Sequence, residues 1–307
     1  MAKVFIDGSA GTTGLRIFER ISARGELELI TLPEERRKDT QYRKDAIYRA
    51  DIAFLCLPDD AAREAVALAE GMDTRIIDTS TAHRVKEDWA YGFPELTGMR
   101  EKILSSRRVA NPGCHASGFI ALMAPLVEAG LLAPDIGVSA TSLTGYSGGG
   151  KKMIAQYEGE GRDVLLDAPR LYGLSQTHKH LPEMQKYCHL ETAPIFCPIV
   201  APYYAGMEVN IPLFASQLRG TREQIGEVYR EYYREGLVRF CEDPGEEGFL
   251  SAGRYALRDD MELSISGNHE RIVLTARFDN LGKGASGAAI QNMNLLLGLP
   301  ESTGLNV

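Results

Sequence analysis

None of the five cysteines (Cys56, Cys114, Cys188, Cys197 and Cys241) forms a Cys-x-x-Cys pair, and their number is odd, so neither a disulfide framework nor a zinc ribbon is indicated. A surplus of positive charge is also missing. Lys and Arg total 34 against 42 Asp and Glu, a net charge of −8 with no basic stripe, which excludes the electrostatic footprint of a nucleic-acid binder. An anionic substrate must then be held by local donors against the mean field of the molecule. No long hydrophobic run is present either. The longest, over 116–133, is broken by Ser117, Pro125, Glu128 and Gly130, and predicts a buried helix and loop, not a membrane span. The opening Met1-Ala2-Lys3-Val4-Phe5-Ile6-Asp7 predicts a strand and has no apolar core or cleavage site of a secretory signal. These absences together imply a cytoplasmic protein with reduced thiols, no membrane and no nucleic acid.

What is present suffices for two domains: 307 residues of ordinary globular composition, with no internal repeat and no low-complexity segment. Val4-Phe5-Ile6 predicts a strand, and Leu15, Phe18 and Ile21, flanked by Ile17, predict a helix after it. Further strands are predicted over 27–32, 52–57, 75–78 and 109–110, with Asp59 or Asp60 capping a helix that Gly71 stops. Strands alternating with helices imply a parallel, doubly wound sheet. After Gly137 the texture changes: apolar and polar residues alternate over 206–213 and 271–278, which predicts half-exposed antiparallel strands. Between them Thr221-Arg222-Glu223-Gln224 is a capping box for a helix carrying Ile225, Val228, Tyr229 and Tyr232. A last helix is expected over about 285–297, after Gly282-Lys283-Gly284-Ala285-Ser286-Gly287.

Gly8-Ser9-Ala10-Gly11-Thr12-Thr13-Gly14 falls between strand and helix, the context a dinucleotide fingerprint requires. Gly8 permits the tight turn, Gly11 lets backbone N–H groups approach a pyrophosphate, and Gly14 lets helix and strand pack closely. A plain strand-to-helix turn is the competing reading, since the spacing differs from the commoner G-x-G-x-x-G. After the second strand, Glu34-Glu35-Arg36-Arg37-Lys38 offers three consecutive cations, which suit a 2′-phosphate and favour NADP, while Glu34 leaves NAD open.

Cys114 lies in Asn111-Pro112-Gly113-Cys114-His115-Ala116, a tight turn leading into an apolar helical stretch. A thiol at a helix N-terminus faces unpaired N–H groups that favour its anion, which makes it a nucleophile. In His178-Lys179-His180-Leu181-Pro182-Glu183 two histidines on extended chain point the same way. With no third ligand at a fitting spacing they indicate no metal; a histidine near the thiol can instead take its proton and return it to an oxyanion, and a surface or structural role is the competing reading. Gly145-Tyr146-Ser147-Gly148-Gly149-Gly150-Lys151-Lys152 reads as a phosphate cradle or as an interdomain turn. Arg84 can clamp an anionic group bidentately.

Taken together these residues resemble the shorter form of the N-acetyl-gamma-glutamyl-phosphate reductase family, in the semialdehyde dehydrogenase superfamily. The resemblance spans essentially the whole chain. It rests on the 8–14 loop, Asn111-Pro-Gly-Cys114, the His178-x-His180-x-Pro-Glu183 segment, and the Asp279-Asn-Leu-Gly-Lys-Gly-Ala-Ser-Gly287 block with Gln291-Asn292. Thr12-Thr13 departs from the aromatic-containing loop of the longer form. The resemblance implies a Rossmann-like domain over 1–114 and, over 115–283, an α+β catalytic domain with a mainly antiparallel sheet, like the C-terminal domain of glyceraldehyde-3-phosphate dehydrogenase. This second domain would also oligomerise, and 284–307 would form a terminal helix returning to the first. The resemblance further implies Cys114 as nucleophile and one of His178 and His180 as acid and base, His178 being preferred. NADP would be held by Gly8, Ser9, Gly11, Thr12, Thr13, Gly14, Arg36, Arg37, Asn280 and Gly284. The acyl-phosphate substrate, and the inorganic phosphate it releases, would meet Arg84, Asn111, Ser147, Gly148 and Glu183. The expected assembly is a homo-oligomer, dimer or tetramer. The rivals are aspartate-semialdehyde dehydrogenase, a cysteine hydrolase or acyltransferase, and a non-catalytic nucleotide sensor.

Overall fold

A computed structural model describes residues 1–307. Its first sheet is built from β1 (Ala2–Asp7), β2 (Leu27–Ile30), β3 (Ile52–Leu55), β4 (Arg75–Asp78), β5 (Ala90–Tyr91) and β6 (Arg108–Ala110). They lie in the order β2-β1-β3-β4-β6-β5, with every pairing parallel. Val4 and Ile6 of β1, with Ile52 and Phe54 of β3, pack on one face, while Phe5, Ala53 and Leu55 pack on the other. Because successive side chains alternate, a strand covered on both sides is apolar at successive positions, as Val4-Phe5-Ile6 in β1 and all of β3, Ile52–Leu55, are.

Helices α1 (Thr12–Ser22), α2 (Thr40–Arg49), α3 (Asp59–Leu68) and α4 (Met99–Ser105) supply the cover. Ile17, Ile21 and Ile103 from α1 and α4 join the first face, and Ala46, Ile47 and Ala65 from α2 and α3 join the second. The stripe of α1 differs from expectation. Gly14, Ile17 and Ile21 are buried and Leu15 is exposed, so Ile17 leads the stripe instead of flanking it. Pro58, not an aspartate, precedes α3. Asp59 instead accepts from the N–H (3.0 Å) and O–H (2.6 Å) of Thr81. The terminal helix Gly287–Leu296 follows a π turn over Gly282–Ser286 and puts Ala289, Ile290 and Met293 into the first-face core. Cα packing accordingly divides the chain into one unit of Met1–Pro112 with Ala285–Leu305, and another of Gly113–Gly284 with Asn306–Val307.

The second unit contains β7 (Ser139–Gly145), β8 (Arg170–Leu171), β9 (Ile195–Ala201), β10 (Met207–Phe214), β11 (Val238–Phe240), β12 (Met261–Gly267) and β13 (Arg271–Phe278), in the order β11-β12-β13-β10-β7-β9-β8. The two strands read from alternation, β10 and β13, pair along their whole length from Met207↔Phe278 to Phe214↔Arg271. Four of the six pairings are antiparallel. The β7–β9 and β11–β12 pairings are parallel, so the sheet is mixed with an antiparallel majority.

The helices of this unit are α5 (Cys114–Glu128), α6 (Gly150–Glu158), α7 (Leu181–Tyr187) and α8 (Arg222–Tyr232). Helix α5 is buried from His115 to Leu126, as its apolar sequence requires. A Cβ at Gly118 would come within 2.7 Å of Phe278 and Val209, so a glycine here lets the helix lie against β13 and β10. The capping box of α8 is formed: Gln224 N–H donates to Thr221 Oγ1 (3.3 Å) and Thr221 N–H to Gln224 Oε1 (2.8 Å). No helix is long and apolar enough to cross a membrane.

Candidate active site

The glycine loop leaves the carboxyl end of β1 beside the point where the strand order reverses, between β1 and β3, where open α/β sheets take their ligands. Gly8 has φ +88°, and a Cβ there would overlap the Cys56 carbonyl, so the turn tolerates only glycine. A Cβ at Gly14 would overlap the Gly8 carbonyl, so close packing of α1 on the loop needs this glycine as well. Gly11 caps α1 without any side-chain acceptor, leaving the first N–H groups of the helix to an anion. Thr12 Oγ1 is buried and has no hydrogen-bond partner, as a hydroxyl kept for a ligand would be. Ser9 and Thr13 are half-buried on the same loop.

A cavity of about 490 Å³ adjoins this loop, walled by Phe18, Leu29, Ile30 and Leu32 and lined at its polar end by Glu34, Glu35, Arg37 and Lys38. Apolar walls, an anion-binding helix start and cations at one end fit a phosphorylated dinucleotide. Arg36 is placed elsewhere: it pairs with Asp39 (3.5 Å) and stacks 4.8 Å over Tyr42. The sequence ran the three cations together, and the 3₁₀ turn Glu34–Arg36 separates them.

In the loop after β4, His83 Nδ1 lies 2.6 Å from the Asp78 carboxylate and its ring stacks on Trp89 at 4.2 Å. Next to it, buried Arg84 donates from Nε to the carbonyl of Asn111 (2.9 Å) and from Nη2 to that of Thr79 (3.1 Å). Arg84 therefore grips the backbone of the cysteine turn. Asn111 Nδ2 donates to the Ala285 carbonyl (3.0 Å), and its buried Oδ1 has no partner.

Cys114 is the first residue of α5, half-buried, and Gly113 caps the helix without a side-chain bond. The Gly113 N–H donates to Glu183 Oε2 (3.1 Å), so this buried carboxylate braces the turn. Gly284 packs beside the thiol; a Cβ there would stand 2.9 Å from Cys114 Cβ. Burial pushes Cys56 up to about 12 and Cys188 well above the ordinary range, which keeps both protonated and unreactive.

The 178–180 segment is a turn, not the extended chain expected. His180 is helical in backbone and caps α7, and its N–H donates to His178 Nδ1 (3.2 Å). With Nδ1 accepting, a neutral His178 carries its proton on Nε2. The two rings meet edge-on at 4.7 Å, and buried His180 has Nε2 4.0 Å from Glu183 Oε1. No group of three His, Cys, Asp or Glu side chains is arranged to hold a metal ion.

A third imidazole, missed from the sequence, joins them. His115 is buried 5.6 Å from both rings. Its Nδ1 lies 2.7 Å from Ser142 Oγ and its Nε2 2.6 Å from the Tyr172 hydroxyl. Burial, with His178 and Lys179 adding to it, holds the His115 pKa down to about 3, so the ring is neutral. The Tyr172 phenol is pushed up by burial and by the charge of Cys114. The only local sign of His115 was its place after the cysteine; its partners are 27 and 57 residues away.

The 145–152 segment is a 3₁₀ turn, Tyr146–Gly149, running into α6, and it lies within the second unit. The amides of Gly145, Tyr146 and Ser147 donate to the carbonyls of Gly206, Tyr203 and Tyr204, so they are occupied within the fold and do not cradle a phosphate. Buried Asn280 ties this turn down, donating to Ser147 Oγ (3.0 Å) and accepting from Gly206 N–H (3.0 Å). Gly148 is exposed.

A nucleotide-type loop in a parallel sheet, and a thiol opening a helix on a mixed sheet, coincide with two known domain descriptions. That of the semialdehyde dehydrogenase NAD binding domain matches residues 3–106, and that of the semialdehyde dehydrogenase dimerisation domain matches 114–280. The chain belongs to the semialdehyde dehydrogenase family. As a member it is an enzyme, an oxidoreductase. Among curated relatives, the N-acetyl-gamma-glutamyl-phosphate reductase of Brucella suis is 50% identical over 306 residues, covering 96% of this chain and 99% of that protein. Its counterpart from Brucella ovis is 49% identical over the same length and shares. The resemblance drawn from the motifs is thereby borne out. Among solved structures, aspartate semialdehyde dehydrogenase II from Vibrio cholerae superposes with a TM-score of 0.74 at 18% identity, covering 97% of this chain and 99% of that one. Aspartate semialdehyde dehydrogenase with NADP from Candida albicans gives 0.69 at 16% identity, covering 97% and 98%. These two share the fold.

Proposed function

We propose that this enzyme reduces N-acetyl-L-glutamyl 5-phosphate to N-acetyl-L-glutamate 5-semialdehyde with NADPH, releasing inorganic phosphate, as a cytoplasmic step of arginine biosynthesis. The observation that carries the reading is the place of Cys114, first residue of a buried helix whose N-terminal N–H groups have no side-chain cap. Half identity to reductases of this name along almost the full chain supports this choice of substrate.

The Cys114 thiolate attacks the acyl carbon, and the N–H groups of the first turn of α5 stabilise the oxyanion. The bond between the acyl carbon and the phosphate oxygen breaks, phosphate leaves with the electron pair, and a thioester remains on Cys114. NADPH, when bound, supplies the hydride that reduces the thioester carbon. His178 Nε2–H protonates the resulting oxyanion and takes the proton back as the C–S bond breaks, which frees the aldehyde and restores the thiolate. His180, sharing a turn with His178 and facing Glu183, sets that ring. Gly8, Ser9, Gly11, Thr12, Thr13 and Gly14 hold the cofactor phosphates, and Arg37 with Lys38 meets the 2′-phosphate. Arg84, Asn111 and Glu183 hold the backbone of the cysteine turn; Asn280, Ser147, Gly148 and Gly284 shape the ground beside it. A homo-oligomer, dimer or tetramer, is in keeping with the matched dimerisation domain.

The test is phosphate-dependent oxidation of N-acetylglutamate semialdehyde, run with NADP and NAD in parallel. NADP reduction that requires phosphate is expected. Turnover of aspartate semialdehyde in its place would transfer the reading to that enzyme. Cys114→Ala should cut turnover by roughly 10⁴-fold or more while NADPH binding persists, as removing a covalent nucleophile does.

A further inference from the structure

Ser142, His115 and Tyr172 form a buried polar chain that the reaction above leaves without a part. Both ring nitrogens of His115 are engaged, Nδ1 2.7 Å from Ser142 Oγ and Nε2 2.6 Å from the Tyr172 hydroxyl. The ring is neutral, and its place in the first turn of α5 agrees with this, since the positive end of a helix disfavours a cation. A neutral imidazole has one donor and one acceptor, so only two arrangements exist. In the first, Nδ1–H donates to Ser142 and Tyr172 gives its one proton to Nε2, leaving only phenol lone pairs for any other neighbour. In the second, Ser142 O–H donates to Nδ1, Nε2–H donates to the phenol oxygen, and the phenol proton stays available.

Cys114 decides between them. It precedes His115 in the chain, and the Tyr172 ring stands 6.0 Å from that of His178, so the phenol belongs to the same group of side chains at the start of α5. A thiolate repels lone pairs and attracts an O–H, so it selects the second arrangement. We propose that His115 is a positioning residue which, backed by Ser142, holds Tyr172 with its hydroxyl proton directed at the Cys114 sulfur and the acyl oxygen bound to it. Tyr172 is then a second donor to the developing oxyanion, beside the helix N–H groups, and His178 is left free for proton transfer. The inference rests on Cys114 as nucleophile and deepens that reading.

The experiment is a double-mutant cycle on His115→Phe and Tyr172→Phe, with His115→Gln as the conservative variant. Loss of one oxyanion donor predicts a fall in kcat on the order of 10²-fold for Tyr172→Phe, with KM nearly unchanged. His115→Phe should fall comparably, and the double variant should be no worse than Tyr172→Phe alone, because the imidazole acts through the phenol. His115→Gln, which keeps an N–H donor toward Tyr172, should recover part of the loss. Losses that multiply in the double variant, or that appear in KM alone, would overturn the inference. Two readouts need no turnover. Iodoacetamide should alkylate Cys114 severalfold more slowly, and equally so, in both single variants, and ¹⁵N shifts should place the His115 proton on Nε2; a proton on Nδ1 would overturn the inference even if His115→Phe did not fold. A wild type silent toward the semialdehyde, with those two readouts as expected, would sink the assigned reaction and leave the positioning role standing.

Discussion

The two units prepare their chemistry by opposite means. In the first, the ligand ground is backbone: Gly8 and Gly14 stand where a Cβ would overlap a carbonyl, and a helix start has no side-chain cap. In the second, it is side chain: three imidazoles, a phenol, a serine and a carboxylate are packed around the start of α5. Backbone sites bind an anion by shape and N–H direction and lose function when atoms are added. Side-chain sites depend on which partner donates and lose function when atoms are removed. The first unit is therefore sensitive to bulk and the second to hydrogen-bond chemistry.

The sharpest way to break that contrast is to add one methyl group. Gly14→Ala must push α1 away from the Gly8 carbonyl, so it should destabilise the protein by about 2–4 kcal/mol and weaken NADPH binding, as overpacking at a closed contact does. Denaturant unfolding and cofactor titration measure both effects, and the alkylation rate of Cys114 should not change. A tolerated alanine would mean that the loop is not shaped by the missing Cβ.

Removing charge from the polar end of the cavity is the next largest test. Arg37→Ala with Lys38→Ala should raise Kd for NADPH about 10–100-fold, the worth of charge-assisted bonds to a phosphate, with little change for NADH. Arg36→Ala should change neither, since that guanidinium is held by Asp39 and Tyr42. An equal loss for NADH would place these cations away from the 2′-phosphate.

The smallest effect concerns His115 and acid. The unfolded chain takes up a proton near pH 6.5, which the folded ring refuses down to about pH 3, so stability is lost as pH falls below 6.5. Between pH 8 and 5.5 this one group should cost about 1.4 kcal/mol. Unfolding of wild type and His115→Gln across that range should converge by this amount. A constant difference would mean that the ring is charged or exposed.

Much of this was legible in the sequence. Chain-local features came through because neighbours within a few residues determine them: the strand–glycine–helix opening, the unbroken apolar strands, the capping box at Thr221, and the cysteine at a helix start. Strands β7 and β9 did not. Ser139–Gly145 is small and polar, and Ile195–Ala201 contains Pro198, which argues against an inner strand, yet both take their places because neighbouring strands pair with them on either side. Helices α2 and α4 went unread because their few buried residues, such as Ile47 and Ile103, leave no long apolar stripe.

The sequence alone determined where backbone must bend, where helices begin and which thiol opens one, because glycine sterics, capping and periodicity act over a few residues. Tertiary structure alone decided that Arg36 turns from the cavity, that the Gly145–Ser147 amides are already bonded, and that His115 meets Ser142 and Tyr172. Those outcomes depend on burial and on partners distant in the chain, and hydrogen bonding between distant groups leaves no periodic trace in the order of residues.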